Sequence, residues 1–295
     1  MSEQESIRKA PSGMRGLGRS LLRSRLALAG GVILAVIVFV AVAAPLLAPF
    51  DPEQIDIRNR LKPPAWLEGG LRQHFLGTDN VGRDITSRII FGARVSLFVG
   101  LATVLIGGVL GTTLGVLAGY FRGRLETAIM RLVDIQLAFP SILLAVAIMA
   151  ILGPSVRNVI LVLSLSTWAS FCRVARGQTL AVCNQEYVTA AHALGAGTVL
   201  VILKYVVPNI VSPLIVIASF ALATNIINEA SLSFLGVGVP PTTPTWGGML
   251  GEGRNYLRLA WWVATLPGIA LMLAVYSVNV LGDWLRDYLD PQLMD

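Results

Sequence analysis

The stretch Glu186-Tyr-Val-Thr-Ala-Ala-His-Ala-Leu-Gly195 decides how this chain is read, because it is a polar, capped helix in an otherwise largely apolar sequence. Nine residues further on comes Tyr205-Val-Val-Pro208-Asn209. Asn184 offers a side-chain acceptor as N-cap, and Gln185 and Glu186 place an acceptor and a negative charge in the first turn. Gly195 suits the C′ position, and Pro208 stops whatever follows. About ten helical residues reach roughly 15 Å, a short rod suited to lying along a surface. Ala190, Ala191 and Ala193 keep much of that rod slim, so another protein can close around it. Composition alone favours a loop that merely folds back on itself. The same stretch also carries the spacing Ala-Ala-x3-Gly-x9-apolar-x-apolar-Pro.

Working outward, the whole chain has a mean hydropathy of +0.70 and only 14% charged residues, against roughly a quarter in soluble domains. A soluble fold of this length cannot hide so much apolar surface, so an integral membrane protein is implied. The net charge of +6 does not argue for nucleic acid, because the arginines sit at the ends of apolar runs. Arg8, Lys9, Arg15, Arg19, Arg23 and Arg25 precede the first run, which places the segment 1–26 in the cytoplasm. Ala41-Val-Ala43 resembles a signal-peptide cleavage site, but the uncharged run from Leu26 to Phe50 is longer than such a peptide requires. Cys172 and Cys183 fall near the cytoplasmic side, where a disulfide is not expected, and their spacing matches no zinc site.

Six spans are expected: 27–47, 95–120, 127–152, 158–171, 210–231 and 259–281. An outer loop at 48–94 carries prolines at 49, 52, 63 and 64, and a cytoplasmic loop is expected at about 184–209. The five-helix core runs over 95–285, with a cytoplasmic tail at 286–295 and both termini inside. The fourth span is short, because only 15 uncharged residues separate Arg157 from Arg173; snorkelling arginines supply the missing length. Trp261 and Trp262 open the last span and Trp284 closes it, as interfacial belts do.

Within the second span, Gly107, Gly111, Gly115 and Gly119 form a small-x3-small row that lets another helix, in this chain or a partner, approach closely. Gly77-Thr-Asp-Asn-Val-Gly82 has the glycine spacing of a phosphate loop, but Arg83-Asp84 stands where Lys-Ser/Thr is needed. No Gly-Lys pair occurs anywhere, so the chain does not itself carry an ATPase. No catalytic set or metal-ligand spacing emerges, and His74 and His192 fall on opposite sides of the membrane. Asp134 has Arg131 at i−3, which suggests a local ion pair near the inner interface. Asn225, Asn228 and Glu229 lie toward the outer end of the fifth span. Their burial is costly, so they either line a water-filled passage or hydrogen-bond another helix. The uncharged stretch from Ser231 to Gly248 is broken by proline and glycine and reads as an outer re-entrant or interfacial loop.

Four segments resemble one family: Gly77–Arg88, Glu186–Pro208, Glu229–Gly248 and Leu281-Gly-Asp-Trp-Leu-Arg-Asp-Tyr-Leu-Asp-Pro291. Together they resemble the C-type permease subunit of dipeptide, oligopeptide and nickel ATP-binding-cassette (ABC) importers over nearly the whole chain after residue 27. The resemblance identifies the capped helix with the EAA loop, which docks into a groove of the ATPase. It gives Glu186, Thr189, Ala190, Ala191, Gly195 and Pro208 a coupling role. Thr189 occupies the position of the Glu that names the motif, with Glu186 one turn upstream, and His192 replaces a commonly basic residue.

The resemblance implies an all-α, six-helix type I importer permease in the inner membrane. It further implies a homologous second permease, two cytoplasmic ATPases and an extracytoplasmic solute-binding protein. ATP and Mg would be bound by the ATPases, with no cofactor on this chain. Peptides, nickel chelates, glutathione and opines all remain open as cargo. A secondary transporter or a non-transporting membrane scaffold is the alternative.

Overall fold

The computed structural model describes residues 20–22 and 24–289. Arg8, Lys9, Arg15, Arg19, Arg23 and the last six residues of the expected C-terminal tail lie outside them. Helix α1 spans Arg25–Val42 and starts at Ser24, whose hydroxyl accepts the Ala27 N–H at 3.3 Å. A single turn, α2 (Ala44–Leu47), follows, with proline in its first turn, where a missing N–H is harmless. Next come α3 (Ile85–Phe121), α4 (Gly123–Ala138), α5 (Ser141–Leu152), α6 (Val156–Cys183), α7 (Glu186–Ala193), α8 (Thr198–Phe234), α9 (Trp246–Gly253) and α10 (Trp262–Leu289). Helices α1, α3, α6, α8 and α10 are each long and apolar enough to cross a membrane, and α4 with α5 makes a sixth, bent crossing.

Five expectations are corrected. The third span is not one helix over 127–152: α4 and α5 meet at 87°. Pro140 causes the break, since proline pushes the residue before it out of the helical region, and Phe139 is extended at φ −92°, ψ 136°.

The fourth span does not stop before Arg173 but runs on to Cys183 as part of α6. Its arginines are tolerated because they are paired across helices. Arg173 bonds Asp134 at 2.9 Å, and Arg176 bonds Glu126 with its Nε at 2.7 Å. Asp134 therefore answers an arginine on α6, not Arg131 on its own helix.

Pro208 does not stop the chain. A π-helical turn at Ile202–Val206 precedes it, and the proline falls in the first turn of the α-helical stretch Val207–Phe234 of α8, where its absent donor is not needed. Finally, Trp262 is buried and donates its indole N–H to the Thr78 carbonyl at 3.2 Å, so it anchors the outer segment and is no lipid-facing belt.

The glycine row faces α6 of the same chain, which settles where its partner lies. Residue numbers rise together along the contact, so α3 and α6 run parallel. A Cβ placed on Gly111 would lie 2.2 Å from the Trp168 carbonyl oxygen, and one on Gly115 would lie 2.4 Å from that of Cys172. At the two ends of the row, Gly107 abuts Thr167 and Gly119 abuts Thr179. Backbone meets backbone here, which is the arrangement that lets dispersion hold helices together where no hydrophobic effect operates. On the other side of α3, Gly100 lies against Leu222 and Ile226 of α8. Helix α3 is thus the central strut.

Replacing Gly111 with Leu forces α6 away from α3, whereas Gly108→Ala meets only the edge of the Phe171 ring at 3.2 Å. Overpacking of this kind costs about 1–3 kcal/mol. The expected order is a sharp loss of monodisperse, detergent-extracted protein for Gly111→Leu and little loss for Gly108→Ala. Equal yields of both would mean that the seam does not hold the fold.

Candidate coupling helix and translocation cavity

Helix α7 follows α6 at the end of the bundle where α3 also ends. Its N-cap is Gln185, without a side-chain cap bond, and not Asn184 as the sequence suggests. Asn184 instead closes α6 and accepts a bond from Arg122 at 3.0 Å. The C-terminal expectation holds: Gly195 takes φ +85°, and the Ala196 N–H reaches the Ala191 carbonyl at 3.0 Å. Val188 and Ala191 turn inward, where Val188 joins a cluster with Val116, Val182, Val201, Val206 and Ile210. Ala190 and Ala191 therefore have different surroundings, one outward and one packed.

The outer face of α7 shows Glu186, Tyr187, Thr189, Ala190 and His192, followed by Leu194, which is 89% exposed. Thr189 directs its hydroxyl to the Gln185 carbonyl at 3.5 Å, within its own helix. His192 Nε2 lies 3.4 Å from the Tyr120 hydroxyl. Two polar ties, His192–Tyr120 and Asn184–Arg122, thus connect the α7 region to the end of α3 and to the turn after it.

About halfway along α6 and α8, a cavity of about 340 Å³ opens between them and the α4–α5 break. Asn225 and Asn228 both line it, together with Ser166, Thr167, Ser170 and Thr224. Asn225 is buried and donates its side-chain N–H to the Thr167 hydroxyl at 3.1 Å, and that hydroxyl donates to the Leu163 carbonyl at 2.9 Å, so the two form a back wall. Glu229 does not line this cavity. It has no exposed surface, and its carboxylate accepts Ser96 of α3 at 2.9 Å and Ser233 at 2.8 Å. Of the two readings of Glu229, the geometry realises the helix-bridging one.

A larger open groove of about 660 Å³ runs between Pro45–Glu53 and Thr243–Pro244 at the outer end. Pro45, Pro49, Pro52 and Pro244 wall this cleft, which shares no lining residue with the α6–α8 cavity.

The outer segment holds a charge network that sequence reading overlooked. Asp79 binds Arg83 Nε at 2.6 Å and also Arg88, and both arginines reach Glu252 of α9, at 2.5 and 2.8 Å. Arg88 is only 2% exposed. Beside this network, His74 Nδ1 contacts Asp84 Oδ1 at 2.9 Å, while Asp84 Oδ2 caps α3 at the Ser87 N–H. The alternating charges at 79, 83, 84 and 88 were a visible signal, but Glu252 lies too far along the chain to be paired with them by spacing. The glycines of the phosphate-loop look-alike serve close approach: a Cβ on Gly82 would sit 1.7 Å from the Asp56 carbonyl oxygen. His74 belongs to the start of α3 and His192 to its end. The 37 residues of α3 separate those two ends by roughly 55 Å.

Residues 111–295 match the family model described as "Binding-protein-dependent transport system inner membrane component". The chain belongs to that family. Residues 14–64 match the N-terminal transmembrane domain of oligopeptide transport permease C. The di/tripeptide transport system permease of Pseudomonas aeruginosa is 45% identical over 96% of this chain and 93% of that protein. The glutathione transport system permease of Pectobacterium atrosepticum is 41% identical over 95% of this chain and 91% of that protein. The inward-facing MetNI methionine ABC transporter shares the fold, with a TM-score of 0.58 at 20% identity over 70% of this chain and 98% of that chain.

The protein is thus a non-enzymatic, multi-pass inner-membrane subunit of type I importer fold. The stretch that supplies Asp79, Arg83 and Arg88 lies between the two matched regions, while their partner Glu252 lies inside the second.

Glu229→Ala leaves the Ser96 and Ser233 hydroxyls without their buried acceptor, at about 1–3 kcal/mol for each. Thermal unfolding in detergent should fall measurably, with Glu229→Gln closer to wild type. A cysteine at 229 should resist a water-soluble thiol reagent, and rapid labelling would contradict the bridging role. Arg88→Met should destabilise more, by about 3–5 kcal/mol, because it strips one partner from a buried ion cluster. An unchanged melting temperature would count against the network.

Proposed function

We propose that the chain forms half of the pore of a peptide importer and receives the stroke of cytoplasmic ATPases on α7. The observation that carries this is the two-sided character of that helix. Its inner face is fixed by Val188 and Ala191, while its outer face ends on the protruding side chain of Leu194. An apolar knob on an otherwise polar, slim rod suits a protein groove, where a single buried anchor supplies much of the affinity.

In this reading the partners are a homologous second permease, two ATPases that bind ATP and Mg, and an extracytoplasmic solute-binding protein. Both termini are cytoplasmic. ATP-driven closure of the ATPases displaces α7. The displacement passes to α3 through His192–Tyr120 and Arg122–Asn184, and to the start of α8 through the valine cluster. Helices α3 and α6 move as one piece because their backbones touch, so the change falls on the α6–α8 gap, where the cavity lies. The short peptides named for the relatives set the cargo class proposed here, and Asn225 and Asn228 face its route.

Leu194→Asp leaves the fold intact, since the side chain is exposed. It should weaken co-purification of the ATPases at least about 30-fold, the scale of a 2 kcal/mol anchor. Gly195→Pro cannot adopt φ +85° and should abolish ATP-driven uptake in proteoliposomes while the permease still inserts. Normal uptake by both variants would overturn the coupling role of α7.

A further inference from the structure

The side of the cavity formed by α6 and α8 sets a few uncharged polar groups into a largely apolar wall. Among its lining residues there is no Asp, Glu, Lys, Arg or His. The nearest charges toward the α7 end are Asp134, one turn from Leu137, and Arg173, one turn from Ser170. Those two cancel each other at 2.9 Å.

The polar groups are not equivalent. Asn225 donates to the Thr167 hydroxyl, which itself donates to the Leu163 carbonyl, and Thr224 donates its hydroxyl to the Phe220 carbonyl at 2.9 Å. Asn228 and Ser170, among the described residues, make no side-chain hydrogen bond within the chain and face the cavity. An asparagine side chain offers N–H donors and a carbonyl acceptor in one plane, the same pair that a peptide group presents in reverse. A volume of about 340 Å³ falls at the lower end of small-molecule sites, which run from about 300 Å³ upward.

We propose that Asn228, with Ser170 and the free lone pairs of Thr224 beside it, is a contact for the backbone amide of passing cargo. This subunit thereby recognises the peptide bond and is indifferent to the charge of cargo side chains. The inference rests on the peptide-importer reading and narrows it: cargo lacking an amide, such as a simple metal chelate, gains nothing at this contact. Phe171 and Phe220 complete the wall with apolar surface that tolerates varied side chains.

The test uses the assembled transporter with its ATPases, second permease and binding protein in proteoliposomes. Uptake is measured for a neutral, an acidic and a basic dipeptide. Asn228→Leu keeps the volume and removes the hydrogen bonds, so uptake of all three should fall about fivefold, the factor matching one hydrogen bond of about 1 kcal/mol. Asn228→Asp should separate the cargoes, slowing the acidic peptide and sparing the basic one, a split that a merely structural role does not produce. Wild-type rates in Asn228→Leu, or equal effects of Asn228→Asp on the three peptides, would overturn the contact.

Should either variant fail to assemble, a cysteine at 228 in a Cys172→Ser, Cys183→Ser background decides the matter. It should react with a water-soluble thiol reagent and be protected by the neutral dipeptide; an inert or unprotected cysteine refutes the contact. Absence of ATP-driven uptake of any dipeptide by the wild-type assembly would instead defeat the peptide-importer reading itself.

Discussion

Close approach of two helix backbones, α3 against α6, is the constraint on which the remaining structure depends. In a bilayer no hydrophobic effect drives helices together, so contact area and distance decide what holds. Glycine at every fourth position removes the side-chain layer from one partner, and carbonyls of Trp168 and Cys172 occupy the vacated space. Because α3 and α6 run parallel, the chain must cross back between them. That return is the bent α4–α5 pair, which leaves the α6–α8 gap open for the polar cavity. The seam, the broken crossing and the cavity are one geometric arrangement.

Charge is handled differently along the bundle. Near α7, arginines on α6 are exposed or half-buried and meet carboxylates on α4, a cheap arrangement near an interface. At the opposite end, Asp79, Arg83, Arg88 and Glu252 are largely sealed from solvent and compensate one another as a closed set. Between the two ends the protein relies on hydroxyls and amides. Glu229 is the exception, held by two serine hydroxyls at the α3–α8 contact.

Much of this was legible in the sequence, for reasons that are local. Apolar runs, the glycine row and the Gly195 cap follow from hydropathy, four-residue spacing and a positive φ that glycine adopts readily. Errors arose where a distant residue cancelled a local rule. Arg173 should have ended a helix, yet α6 continues past it, with Asp134 on another helix as its partner. Pro208 should have ended a helix, but the π turn before it leaves no donor to be missed. Conversely, Pro140 obeyed its local rule and broke a span whose hydropathy alone reads as continuous. The split between Glu229 and Asn228 required knowing which neighbour each faces, and adjacent positions on a helix point about 100° apart.

The outer charge cluster also orders events during synthesis. Asp79, Arg83 and Arg88 are made early, and by themselves they carry one positive charge too many for a sealed site. Only when the ribosome has passed residue 252 does the second carboxylate exist, 164 residues after Arg88. A chain interrupted before that point has already inserted α3 and α6 but holds an unmatched guanidinium at its outer end. Electroneutrality of one small buried cluster is thereby a property of the finished permease and not of a fragment that ends before Glu252.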